Sequence, residues 1–181
     1  MSYTINEHKH RFAAWAASTA ARASSKCRFK VEEGIKIIES LKINPKKLGK
    51  HFDENHRQWC KDAISFAKKK KIKGFTIGVA AKLINVYLKS MFVCDECFNK
   101  HYAYNIHPPI DSILLKNLSK KNDKIDEESR KTFRHTKQKG KGWSSFKYYE
   151  INYVPIIDAI KKVVKEKPLW TIEEYWSGHQ D

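Results

Sequence analysis

Apolar positions in this chain recur at helical rather than strand spacing, and charged or Pro/Gly-bearing breaks divide them into successive helices. From His8 to Ser24 the pattern places Phe12, Trp15, Ala16, Thr19, Ala20 and Ala23 on one face, which predicts a buried first helix. Its small alanines would let a neighbouring helix come close. Val31 to Leu41 repeats the pattern through Val31, Ile35, Ile38 and Leu41, and stops before Asn44 and Pro45. Asp53 reads as the N-cap of a third helix carrying Trp59, Ala63, Ile64 and Ala67, which runs into the basic stretch Lys68 to Lys73.

Residues 72–78 hold two glycines, Gly74 and Gly78, and a strongly apolar helix resumes from Val79 to Phe92, so residues 53–92 read as helix, tight hairpin, helix. Val93 to His107 is irregular. Pro108 and Pro109 then introduce a helix that begins near Asp111 and carries Leu114, Leu115 and Leu118. Residues 120–142 are charged and apolar-poor apart from Ile125 and Phe133, which predicts a solvated helix or loop. Its second half is crowded with Arg130, Lys131, Arg134, His135, Lys137, Lys139 and Lys141. Residues 143–181 hold a last helix from Trp143 to Val164, with Pro155 setting its start or bending it, and an aromatic tail, Leu169 to Trp176, expected to dock on the core. No internal repeat and no long period-2 run occurs. The expected fold is an all-α, single-domain helical bundle over residues 1–181.

Composition adds a partner. Thirty-six Lys+Arg against 20 Asp+Glu give a net charge of +16, a field that concentrates polyanions, nucleic acid first and anionic membrane next. A lysine-rich solvated surface with no partner is the plainer alternative. No window reaches the roughly 18 to 20 apolar residues of a membrane span, and no apolar core of a secretory signal follows the first residues. The stretch from Arg11 to Ser25 has a transit-peptide composition but is expected to belong to the fold. Four scattered cysteines, Cys27, Cys60, Cys94 and Cys97, fit reduced thiols in a cytoplasm better than a disulfide framework.

Candidate chemistry centres on Gly74-Phe75-Thr76-Ile77-Gly78-Val79-Ala80-Ala81-Lys82 and on His107-Pro108-Pro109-Ile110-Asp111. Here the chain resembles the helix-hairpin-helix DNA glycosylase superfamily, over roughly Asp53 to Leu118. Gly78 to Lys82 falls on that family's hairpin pattern, and Asp111, opening the next helix after an apolar residue, resembles its catalytic aspartate. The resemblance implies Lys82 as an amine nucleophile of the bifunctional kind and Asp111 as its electrostatic and general-base partner. It also implies a hairpin whose Lys71, Lys73, Gly74, Thr76, Gly78 and Ala80 hold a DNA phosphate through backbone amides and positive charge. Four departures stand beside the match: Ala80 replaces the second hairpin glycine, Ile77 the usual proline and Ile113 the histidine after the aspartate, and the connection from Lys82 to Asp111 is long.

Such chemistry needs a lysine whose charge is suppressed by burial, and an aromatic wedge or stacking partner for the flipped base; Phe75, Trp59 and Trp143 are the candidates. The implied substrate is double-stranded DNA with a damaged, mismatched or modified base flipped out, in repair or in defence against modified phage DNA. The expected setting is a nucleoid-associated monomer in the cytoplasm, with no membrane partner. In the plainer reading Lys82 is one more solvated lysine and Asp111 only an N-cap worth about 1 kcal/mol. The competing functions are a non-catalytic nucleic-acid-binding module and a small basic interaction protein of toxin or antitoxin type.

Cys94-x-x-Cys97 with His101 and His107 has metal-ligand chemistry but lacks a second cysteine pair and finger spacing, so no metal and no other cofactor is expected. His56 and Cys60, one helical turn apart, read as a structural histidine beside a buried thiol. No cysteine follows Cys97, which leaves no ligands for a C-terminal iron-sulfur loop.

Overall fold

The computed structural model describes residues 3–22, 27–94, 101–138 and 142–177. Among the described residues all regular structure is helical: α1 (Ile5–Ala21), α2 (Val31–Leu41), α3 (Phe52–Lys69), α4 (Ile77–Leu88), α5 (Ser112–Leu118), α6 (Glu127–Gln138) and α7 (Val154–Val164). Short 3-10 or π-helical turns connect them, including Lys89–Val93, Trp143–Ser145, Tyr149–Tyr153 and Leu169–Tyr175. No described helix is long and apolar enough to cross a membrane.

The buried apolar side chains form one contiguous cluster to which every α-helix contributes. Its centre is α4, buried on nearly all sides, as befits a helix that is apolar all round. Helices α1 and α3 flank it, and α2 packs on both. Residues 143–153, α7 and the Leu169–Tyr175 turn close the remaining sides, with α5 and α6 packed beside them.

The first helix turns the other way from its expected face. A capping box starts it, with Glu7 N donating to Thr4 Oγ1 at 3.2 Å and Thr4 N donating to Glu7 Oε2 at 2.8 Å. Its buried face is Ala13, Ala14, Ala17, Ser18 and Ala21. Phe12 and Trp15 are left 59% and 51% exposed. Small side chains win because they let α4 and α2 approach at backbone distance. At the α1–α2 crossing, a Cβ on Gly34 would lie 2.5 Å from Ser18 Oγ. Thr19 is exposed and Ala16 and Ala20 are half-buried, whereas Ala23 lies outside the described residues.

Other boundaries depart less. Helix α3 begins one residue before Asp53, which makes no N-cap and turns its carboxylate to His107 and Lys161 instead. Helix α4 starts at Ile77 under a Thr76 cap, and α5 under an Asp111 cap, with Leu114 N donating to Asp111 Oδ1 at 2.9 Å. Pro155 stands in the first turn of α7, so it sets the start of that helix rather than bending it. In the basic segment, Ile125 and Phe133 are both in the core; Lys139 and Lys141 lie outside the described residues. The aromatic tail docks through Leu169 and Ile172.

Candidate active site

Lys82 projects from the central helix, and the N-cap of α5 brings Asp111 against it. Lys82 Nζ lies 3.2 Å from Asp111 Oδ2, in a site where the lysine is only 8% exposed. The same oxygen accepts a hydrogen bond from Trp176 Nε1 at 3.0 Å, while Oδ1 is held by the Leu114 amide. The ammonium also sits over an aromatic face, with Nζ 4.7 Å from the Trp143 ring centroid. Burial pushes the Lys82 pKa below its ordinary value; Asp111, and more weakly Glu173, oppose that shift. Glu173 pairs with Lys89, leaves its buried Oε1 without a hydrogen-bond partner, and has its pKa raised by burial.

Residues 71–80, where a hairpin was expected, are differently disposed. Lys71, at φ 57°, and Gly74, at φ 74°, shape the α3–α4 turn in left-handed backbone, and Lys71, Lys73 and Gly74 are exposed there. Phe75 is half-buried, its ring centroid 5.7 Å from that of Phe29. Thr76 caps α4, accepting from Val79 N at 3.3 Å and donating to Ser144 O at 2.8 Å. Gly78 and Ala80 do not offer amides to a phosphate here. Gly78 N donates to Phe146 O at 3.3 Å, Ala80 N donates to Thr76 O at 2.9 Å, and both residues are buried. Gly78 is glycine for another reason: its Cβ would fall 1.7 Å from the Trp143 carbonyl oxygen, so this segment seals the start of α4. Among the three aromatic candidates Trp59 is buried in the core and Phe75 packs on it, whereas Trp143 underlies the lysine.

Behind the pair runs a buried polar network that the sequence pattern did not reveal. Asn85, one turn along α4 from Lys82, donates through Nδ2 to Pro108 O at 2.9 Å and to Tyr153 OH at 2.8 Å. Its Oδ1 can only accept, so His56 Nε2, 2.8 Å away, carries the proton, and His56 Nδ1 accepts from Tyr149 OH at 2.8 Å. The other branch is ordered by the Asp53 carboxylate. His107 Nε2 donates to Asp53 Oδ1 at 2.8 Å and its Nδ1 accepts from Tyr153 OH at 3.1 Å. Every member is satisfied with both imidazoles neutral. Burial keeps both phenols protonated, with Tyr149 and Tyr153 held well above their ordinary pKa. The network links α4 to the segment three residues before Asp111, and so fixes one partner of the pair relative to the other. Lys161 Nζ, 2.8 Å from Asp53 Oδ2, closes its outer end beside a surface cleft that also borders Lys50 and Glu54.

This network makes the fold acid-sensitive. Burial lowers the pKa of both His56 and His107, so below pH about 6.5 the unfolded chain takes up protons that the native chain refuses. The contribution is complete above that pH and shrinks as pH falls. Asp53, held well below the carboxylate range chiefly by its bond from His107, adds a further loss below pH about 4 as the unfolded chain protonates. Thermal melts should show a steady drop in Tm from about pH 7 to pH 5. A Tm independent of pH across that interval would refute the neutral assignment of the two imidazoles.

His107 therefore serves the network, and Cys60 Sγ lies 3.9 Å from His56 Nδ1 beside it. Cys94 is exposed; Cys97 and the side chain of His101 lie outside the described residues. Among the described residues no group of three metal-ligating side chains is gathered. The role of Trp176 was also missed, since nothing local signals that an indole in the tail meets an aspartate 65 residues earlier. The chain matches no family model, no curated protein and no solved structure.

Proposed function

We propose that the protein is a DNA glycosylase of the helix-hairpin-helix kind, a single-domain cytoplasmic monomer that excises a damaged, mismatched or modified base from double-stranded DNA. The observation that carries this reading is a buried primary amine paired with a carboxylate over an indole face, Lys82 Nζ lying 3.2 Å from Asp111 Oδ2 and 4.7 Å from the Trp143 centroid. Asp111 accepts a proton from the Lys82 ammonium and the freed amine attacks C1′ of the flipped nucleotide. The glycosidic bond breaks with its electron pair leaving on the base, which takes up the proton held by Asp111, and the carboxylate so restored supports positive charge on the sugar. Ring opening yields a Schiff base at Lys82. Loss of a C2′ proton with departure of the 3′ phosphate is the accompanying lyase step. Burial, which lowers the Lys82 pKa, favours the neutral amine.

The closed site leaves no room for a nucleotide, since Lys82 is 8% exposed and Trp176 occupies Asp111 Oδ2. Substrate therefore has to displace the tail, which Asn117 Nδ2 ties down through Tyr175 O at 2.9 Å and Ser177 Oγ at 2.8 Å. That closure also supports a second reading, a nucleic-acid-binding module whose Lys82–Asp111 pair is only structural. A panel of duplexes bearing lesions and phage-type modified bases, treated with alkali after incubation, separates the two. Base release supports the enzyme; binding without release from any duplex of the panel supports the module.

Both readings require electrostatic binding. Affinity for duplex DNA should fall at least about a hundredfold between roughly 50 and 200 mM salt, because neutralised phosphates release condensed counterions. Neutralising Lys71 and Lys73, exposed at the hairpin tip, should weaken binding to all sequences alike. A flat salt series would remove nucleic acid as the partner.

A further inference from the structure

The exposed face of α1 presents an organised stripe. His8, Arg11, Phe12, Trp15 and Thr19 recur at helical spacing along it, all exposed. The Phe12 and Trp15 rings stand 6.0 Å apart at 38°, both more than half exposed. At the helix start, Arg11 Cζ lies 4.8 Å from the Tyr3 ring centroid, and Tyr3 OH is 3.0 Å from His8 Nδ1. None of these five residues is acidic, although Glu7, one turn before Arg11, interacts with it electrostatically. The only acidic residue of α1, Glu7, is engaged in the capping box with Thr4. Because Ala13, Ala14, Ala17 and Ala21 turn inward, the stripe looks away from α4, and hence from the Lys82–Asp111 pair.

We propose that this stripe is a docking surface for single-stranded nucleic acid, in which Phe12 and Trp15 stack on bases while Arg11 and His8 meet the backbone. Aromatic rings interleaved with cations are what an unpaired strand needs, since every base has a π-face and every linkage a negative charge. A duplex hides its bases and could use only the cations. Charge complementarity decides against a second copy: two such stripes face to face would set Arg11 against its equivalent between chains of charge +16. The surface is independent of the proposed excision chemistry and would serve a strand displaced from, or lying beside, the duplex.

The test is fluorescence anisotropy with a labelled oligothymidylate of about 12 nucleotides, using wild type and the Phe12→Ala/Trp15→Ala double variant. Both side chains are largely solvated, so the melting temperature should be unchanged. Affinity for the oligonucleotide should fall at least tenfold, as each lost stacking contact weakens binding roughly five- to a hundredfold. Duplex base excision should be unaltered in the same variant. Arg11→Ala should reduce the salt slope by about one, and Trp15→Phe should retain binding while losing part of the tryptophan quenching. Unchanged oligonucleotide affinity in the double variant would overturn the proposal. So would competition by polyglutamate as effective as by unlabelled oligothymidylate, which would mark an acidic-protein surface, or a wild-type dimer that the double variant dissolves. Absence of base excision from every duplex, with oligonucleotide binding still dependent on Phe12 and Trp15, would end the glycosylase reading and leave this one standing.

Discussion

Lys82→Gln is expected to abolish the covalent protein–DNA adduct that borohydride traps during reaction with an accepted substrate, while DNA binding is retained. Only an amine forms the reducible Schiff base, and glutamine keeps much of the length of the side chain without it. Asp111→Asn should bind but lose excision by about a hundredfold or more, since it removes the charge that supports the sugar cation. Asparagine is as good an N-cap as aspartate, so the bond to Leu114 N and the start of α5 survive. The amide nitrogen takes the place of the Oδ2 that accepts from Lys82 Nζ and Trp176 Nε1, so the fold of each variant has to be checked beside its activity. Circular dichroism and duplex affinity supply the controls. Trapping by Lys82→Gln at the wild-type level would show that another amine is the nucleophile. Base release by Lys82→Gln without trapping, together with failure of Asp111→Asn, would reassign the attack to a water activated by the carboxylate. Normal excision by both variants would leave the pair a structural ion pair and the glycosylase site elsewhere.

Gly78→Ala should be the most damaging small substitution in the fold. The new methyl would stand 1.7 Å from the Trp143 oxygen and 2.8 Å from its carbonyl carbon, atoms of backbone that cannot swing aside. To admit it, α4 and the 143–146 segment must separate, which strains or breaks the Gly78 N to Phe146 O and Thr76 Oγ1 to Ser144 O hydrogen bonds. Overpacking typically costs about 1–3 kcal/mol and each lost hydrogen bond about 1 kcal/mol. The better helix propensity of alanine returns about 1 kcal/mol. A net loss of about 2–4 kcal/mol should lower Tm by roughly 4–16 °C in a chain of this size. Gly49→Ala is the control, because nothing lies within 4 Å of its Cβ. The two melting temperatures should differ by nearly the whole effect; equal values would refute the close approach. Displacement of Trp143 should also disturb Lys82, so activity should fall along with stability.

Much of the architecture was legible in local signals. The breaks at Pro45, around Gly74 and at Pro108-Pro109 fall between helices as expected, and the Asp111 cap was readable from an acceptor side chain before an apolar run. Ile125 and Phe133 stood out as the apolar residues of a charged segment, and both are in the core. The candidate pair was legible only through a resemblance. That resemblance singled out Lys82 and Asp111, which the fold brings into contact, but it also singled out Gly78 and Ala80, whose amides the fold encloses. A motif records residue types at a spacing, and does not record what a segment sixty residues away will cover.

What the sequence determined by itself was therefore local: helix positions, their breaks and caps, the absence of long alternating runs, and a net charge of +16. The tertiary structure decided which faces are inside. On α1 both the aromatic and the alanine faces satisfy an amphipathic pattern, and close packing against α4 and α2 selected the alanines. It likewise decided which distant groups meet, setting Trp176 on Asp111, Trp143 under Lys82, and Asn85 between His56, Tyr153 and Pro108. Periodicity and capping act within a few residues along the chain, whereas burial and hydrogen-bond satisfaction are settled over the whole volume that the packed helices share.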